Sequence, residues 1–192
     1  MSKTIVAATH NPNKIREFRG ILEPLGFTLR ALSEFPGAPK PEETGGSFEE
    51  NARIKAMAAA QFTGLTCVAD DSGLCVKALG GAPGIFSARY GGYSASTERN
   101  AHLLRQMIGI SERSAEFVCH IIAIFPDGRE ISAEGRCRGE ILFEPRGSGG
   151  FGYDPLFFLP ELGLSMAELA EAEKGEVSHR GIALRAFAKA IV

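Results

Sequence analysis

The sequence has no apolar run approaching the roughly 18–20 residues that a membrane span requires. Its opening, MSKTIVAATHNPNK, holds one short apolar stretch and no longer one followed by a small-residue cleavage site. No signal peptide is therefore expected, and the cytoplasm is the default location. Excess positive charge is missing too: 21 Lys and Arg stand against 23 Asp and Glu, a formal net charge of −2. That balance argues against a broad nucleic-acid-binding face, though not against a small local phosphate pocket. The four cysteines, Cys67, Cys75, Cys119 and Cys137, form no C-x-x-C pair, and the four histidines show no H-E-x-x-H arrangement. A structural zinc site is not expected, and buried free thiols are. Neither G-x-x-x-x-G-K-[ST] nor G-x-G-x-x-G occurs, so both standard nucleotide loops are absent. There is no internal repeat or low-complexity segment.

What remains is an ordinary globular composition, 44% hydrophobic and 23% charged over 192 residues, enough for one good-sized core or two small lobes sharing a sheet. TIVAAT (4–9) reads as a strand buried on both faces, broken by the turn formers HNPN. A helix follows with Ile15, Phe18, Ile21 and Leu22 on one face and Pro24 near its end. The Pro- and Gly-rich loop 35–46 stops at Ser47 and Glu50, which have capping-box spacing ahead of an alanine-rich helix over 51–61. CVA (67–69) reads as a short strand ending in an aspartate pair. The segments 79–92 and 147–155 read as loops, and 97–107 and the stretch after Ser178 to the C-terminus as helices. AEFVCHIIAIF, the turn PDG and REISAEGRCRGEI predict a β-meander, LFFL a short strand, and Ser165 with Glu168 a second capping box. Early β/α alternation followed by a meander points to an α/β fold with a mixed sheet and flanking helices.

The stretch VADDSGL poses the chemical question. Asp70 and Asp71 stand side by side at the end of an apolar run and must repel unless a positive partner is near. Either the segment is a solvated tight turn, which recruits Asp and Ser, or it belongs to a metal site. With Glu42 and Glu43 these are the adjacent acid pairs in loop or strand-end positions. One glutamate and one aspartate would suit Mg²⁺, which takes one or two carboxylates and completes its shell with waters and substrate phosphates. The second aspartate could then orient or deprotonate a water.

Three further segments carry candidate contacts. In THNPNKIRE, Lys14 sits at a helix start, against the dipole, unless an anion is bound there with Asn11 also donating. An Asx-turn beside a solvated lysine is the alternative. In GGFGYDP, Phe151 or Tyr153 could face a base and Asp154 could accept from a ring N–H; a plain hairpin loop is the alternative. KGEVSHRG places Lys174 before a loop and His179 and Arg180 at the first turn of the last helix, donors suited to a keto oxygen or a phosphate. A Ser178 N-cap followed by exposed residues reads the same stretch without function.

THNPNK, EETGGSFEENARIKA, ADDSGLCVKALGGAPGIFSARY, GGFGYDPLFF and KGEVSHRG, in that order over residues 4–184, resemble the inosine/xanthosine triphosphate pyrophosphatases. Each motif alone is weak; five in order are specific. The resemblance implies one pyrophosphatase domain over 1–192, a long mixed sheet with two lobes around a central cleft, working as a homodimer. It implies Mg²⁺-dependent hydrolysis of non-standard purine nucleoside triphosphates (dITP, ITP, XTP) to monophosphate and pyrophosphate. By motif match, Thr9, His10, Asn11, Pro12, Asn13 and Lys14 would hold the phosphates. Glu43, with or without Glu42, and Asp71 would serve the metal, and Asp71 would act as general base beside Asp70. Ser72 and Lys55 match substrate contacts, and Phe151, Gly152, Tyr153, Asp154, Lys174, His179 and Arg180 match the base and sugar pocket. His10 departs from the glycine many members have there.

Three other readings compete. A pyrophosphatase for modified pyrimidine or methylated nucleotides would differ in substrate, but SHR and GGFGYD favour purines. A non-hydrolysing nucleotide-binding regulator would not need both Glu43 and Asp71. A nucleic-acid module conflicts with the near-neutral charge and would bind with steep salt dependence.

Overall fold

Strand β1 (Thr4–Ala7) is apolar on both faces because both are covered: Ile5 and Ala7 pack into one cluster, Val6 and Ala8 into another. This is visible in a computed structural model that describes residues 4–191. The elements run β1, α1 (Pro12–Leu22), β2 (Thr28–Ala31), α2 (Phe48–Thr63), β3 (Cys67–Val76), α3 (Ser96–Gln106), β4 (Ser114–Ile124) and β5 (Glu130–Ile141). They continue with β6 (Phe157–Leu159), β7 (Leu164–Ser165), α4 (Glu171–Val177) and α5 (His179–Ile191), with short 3₁₀ turns between. The sheet has seven strands in the order β2-β1-β3-β4-β5-β6-β7. It is mixed: β1 is parallel to both β2 and β3, and β6 is antiparallel to β5 and β7.

The chain divides into two compact units, residues 1–71, 119–135 and 179–192 in the first and 72–118 and 136–178 in the second. In the first, α1 lays Phe18 and Leu22 and α5 lays Leu184 and Phe187 onto Ile5, Ala7, Val68, Cys119 and Ile121. Truncating one of these phenylalanines to alanine would cost about 3–5 kcal/mol. On the opposite sheet face, Ala52, Ala56 and Ala59 of α2 lie against Val6, Cys67, Ala69 and Ile122. In the second unit, Leu103 and Met107 from α3 and its end pack with Leu74, Val76, Phe117, Ile141 and Phe157, and the Phe117 and Phe157 ring centroids are 4.5 Å apart.

Several local expectations change. β3 does not stop at the aspartate pair but runs through it to Val76; β1 pairs with its start, at Cys67 and Val68, and β4 is its neighbour on the other side. Ser47 caps α2 by accepting from the Glu50 amide at 3.1 Å, but the Glu50 carboxylate takes the Gly46 amide at 2.7 Å in place of the Ser47 one. The Ser165–Glu168 box is formed, with the Ser165 amide donating to Glu168 at 2.7 Å, yet it opens a 3₁₀ turn only. Lys174 lies inside α4 rather than ahead of a loop. The 79–92 loop is largely 3₁₀ turns over Gly84–Gly92. Of the last expected helix, Val192 lies outside the described residues.

Candidate active site

Alternation along β3 separates the two aspartates. Asp70 points to the face of Val68, toward α1 and α5, while Asp71 points to the face of Cys67 and Ala69, toward α2. Each finds its own cations there. Asp70 Oδ2 lies 3.0 Å from Lys14 Nζ and 3.0 Å from Arg180 Nε, and the Cys119 thiol approaches the same oxygen at 3.8 Å. The Arg180 guanidinium also grips Glu17 through Nη1. Burial works hardest against the Asp70 charge, but Lys14 and Arg180 overcome it and hold the carboxyl far below the ordinary range. Arg180 is held high in the same way: burial opposes its charge, and Asp70 and Glu17 outweigh the burial.

Asp71 Oδ1 accepts from Lys55 Nζ at 2.8 Å, and the same ammonium donates to Glu43 Oε1 at 2.7 Å. Asn51, buried one turn before Lys55 on α2, reaches Asp71 Oδ2 with Nδ2 at 3.4 Å and accepts from the Gly45 amide at 2.8 Å. A side chain at Gly45 would strike Glu50 and Asn51, its Cβ 2.8 Å from Asn51 Oδ1. Burial lifts the Asp71 carboxyl above the ordinary range by more than Lys55 lowers it. Glu42 is exposed, whereas Glu43 is half-buried and tied to Lys55.

Between these elements, THNPNK builds a local frame. Thr9 Oγ1 accepts from the Asn11 amide at 3.1 Å, and Asn11 caps α1 by accepting from the Asn13 amide at 2.9 Å. Pro12 occupies the first turn, where no N–H is needed. His10 and Pro12 are exposed, and Asn13 is half-buried. The Asx-turn and the functional reading are thus compatible: the cap supports the backbone while Lys14 turns to Asp70. His179 is buried at the start of α5.

Other candidates from the sequence lie in the second unit. Lys174 Nζ donates to Asp154 Oδ2 at 2.7 Å and sits 4.6 Å from the Phe151 ring centroid. The same Asp154 oxygen accepts from the Phe151 amide at 2.7 Å. Gly150 (φ +67°) must lack a side chain, because a Cβ there would run into the Asp154 carboxylate. Tyr153 is 4% exposed, and its hydroxyl donates to Ser87 O at 2.9 Å, so its ring serves the core. Ser87 Oγ in turn accepts from the Leu74 amide at 2.9 Å, two residues past the half-buried Ser72. Gly152 offers its carbonyl to Asn100 Nδ2 at 3.1 Å.

Glu17, Asn51, Ser87 and Asn100 were not among the sequence candidates. Only Asn51 had a readable signal, its i,i+4 spacing to Lys55 on an expected helix. Glu43 and Asp71 already share one ammonium, so their oxygens converge on a cation. Among the described residues no three His, Cys, Asp or Glu side chains gather to form an all-protein cage. Two hard carboxylate oxygens are the donor type Mg²⁺ takes, with phosphates and water completing its shell.

Residues 5–190 match the model of the Ham1 family. A dITP/XTP pyrophosphatase of Geobacter sulfurreducens is 52% identical over 183 residues, 94% of this chain and 92% of that one. One from Exiguobacterium sp. is 48% identical over 189 residues, covering 98% and 96%. Among solved structures, a HAM1 protein from Coxiella burnetii superposes with a TM-score of 0.90 at 41% identity, covering 98% of each chain. The Staphylococcus aureus Ham1 protein gives 0.88 at 40% identity, covering 98% and 97%. With a family match over nearly its full length and relatives near half identity, the chain belongs to the Ham1 family.

Proposed function

We propose that the chain is a Mg²⁺-dependent nucleoside-triphosphate pyrophosphatase that converts dITP, ITP and XTP to the monophosphate and pyrophosphate, removing them before misincorporation. The observation that carries the reading is the convergence of Glu43 and Asp71 on one cation beside a separately neutralised Asp70. The names of the relatives, dITP/XTP pyrophosphatases, support the same reaction. On the family resemblance the enzyme would act as a homodimer in the cytoplasm.

Water attacks the α-phosphorus, the bond to the β-phosphate oxygen breaks, and pyrophosphate departs. Asp71 takes the water's proton. Lys14, in the first turn of α1, binds the triphosphate. Bound Mg²⁺, held by Glu43 and Asp71, would supply neutralisation of the leaving group. Lys174, Asp154 and Phe151 form a charged pair beside an aromatic face, as a base with ring N–H and keto groups would use. His179 would meet the 6-keto oxygen. Arg180 would join it only through donors beyond the Nε and Nη1 held by Asp70 and Glu17. Adenine, with an amino group at that position, would leave such donors unpaired.

Pyrophosphate release from ITP, XTP, GTP and ATP, with Mg²⁺ and with EDTA, tests the proposal. Metal-dependent release from ITP and XTP, with ATP nearly inert, is the expected result. Orthophosphate as first product from ITP would overturn it.

A further inference from the structure

Lys55 holds a peculiar place in this group. Its ammonium bridges the two carboxylates assigned above to the metal, at 2.7 Å from Glu43 and 2.8 Å from Asp71. Asp71 is on a sheet strand, Asn51 braces its other oxygen, and the Gly45 amide ties the segment next to Glu43 to Asn51. The lysine alone hangs on a flexible four-carbon stem with a compact charge at its tip. Two carboxylates held this close need a cation between them, and the chain supplies its own. A divalent ion seeking the same oxygens must displace it and break two charge-assisted hydrogen bonds.

We infer that Lys55 is a built-in competitor of the divalent cation, holding Glu43 and Asp71 together and giving them up when the metal enters with a polyphosphate that receives the freed ammonium. The inference rests on the assignment of Glu43 and Asp71 to the metal. It makes metal and nucleotide binding cooperative: metal alone must strand a half-buried ammonium, whereas metal with triphosphate gives that ammonium a new anion. The side chain of Lys55 is 15% exposed, so water meets little of it.

Calorimetric titration with MnCl₂ in the absence of nucleotide, on the wild type, Lys55→Met and Asp71→Asn, separates the possibilities. Lys55→Met is expected to bind Mn²⁺ at least about tenfold more tightly than the wild type, and Asp71→Asn to lose the site. Equal or weaker binding by Lys55→Met, with Asp71→Asn still defective, would overturn the competitor role and leave the metal assignment standing. Unaltered binding by Asp71→Asn would overturn the assignment itself. A second measurement needs no variant. Acetic anhydride labelling read by mass spectrometry should find Lys55 more reactive when Mn²⁺ is added to the wild type. Unchanged labelling at saturating Mn²⁺ would also sink the inference.

Discussion

Arg180 and Asp70, 110 positions apart in the chain, meet through Nε and Oδ2 at 3.0 Å in the interior of the first unit, with both side chains almost wholly buried. Next door, Asp71 turns to the other sheet face and faces Lys55. The repulsion that two adjacent acids would suffer is resolved by strand alternation, each carboxylate having its own cations.

The neighbours should therefore fail differently. Asp70→Asn leaves Arg180 and Lys14 short of a counter-charge in the core and is expected to cost about 3–5 kcal/mol of stability. Asp71→Asn is expected to keep near wild-type stability while losing about 10²–10⁴ in kcat. Chemical denaturation beside steady-state kinetics checks both. Equal stability losses would remove the distinction.

Alkaline titration should report Tyr153. Burial raises its hydroxyl to about 12 from the usual 10. A group whose folded value is raised adds stability that is complete below the unfolded value and is lost as pH climbs through the folded one. Stability should fall between about pH 10 and 12, with tyrosinate absorbance for this residue appearing late. Tyr153→Phe should flatten that part of the profile and leave the Ser87 carbonyl unsatisfied, at about 1–3 kcal/mol.

Lys174→Met removes the partner of buried Asp154 and the cation beside Phe151. If this cluster binds the base equally in ground and transition states, KM for ITP should rise with little change in kcat. A fall in kcat alone would move the cluster away from substrate binding.

The thiols should react in order of access. Cys67 and Cys119 are fully buried, and burial pushes both upward; Cys137 is raised to about 11, again by burial. Cys75, half-buried, is expected to react first with a thiol reagent, and the other three only as the protein unfolds. Peptide mapping after brief labelling would show this.

How much of this the sequence disclosed depends on range. α1 was legible because Ile15, Phe18, Ile21 and Leu22 repeat at helical spacing, and the meander because PDG divides an apolar run from an alternating one. β3 was read too short because Asp-Asp-Ser-Gly carries turn chemistry; a place inside the sheet beside β4 and burial on both faces, both long-range, override it. β2 and β7 were missed because runs of 4 and 2 residues show no usable period. The candidate residues were found as motifs, but their pairing was not. That Lys14 takes Asp70 while Lys55 takes Asp71 is decided by strand parity and by which helix covers which face. Neither is written in any short stretch. Tyr153 shows the same limit: an aromatic in a glycine-rich loop invites a stacking role, and only its burial against Ser87 shows the ring turned inward.

The alanines of α2 have no chemistry, yet they act as a ruler. Ala52, Ala56 and Ala59, each at most 1% exposed against the sheet, let the helix lie close over β1 and β3. Asn51 and Lys55 ride on that same helix, so the reach from each to Asp71 is set by methyl groups a turn away. In an interior packed to crystal density, one added methylene lifts the helix and lengthens every contact it carries. Tolerance to mutation should thus be lowest at residues that no ligand ever touches.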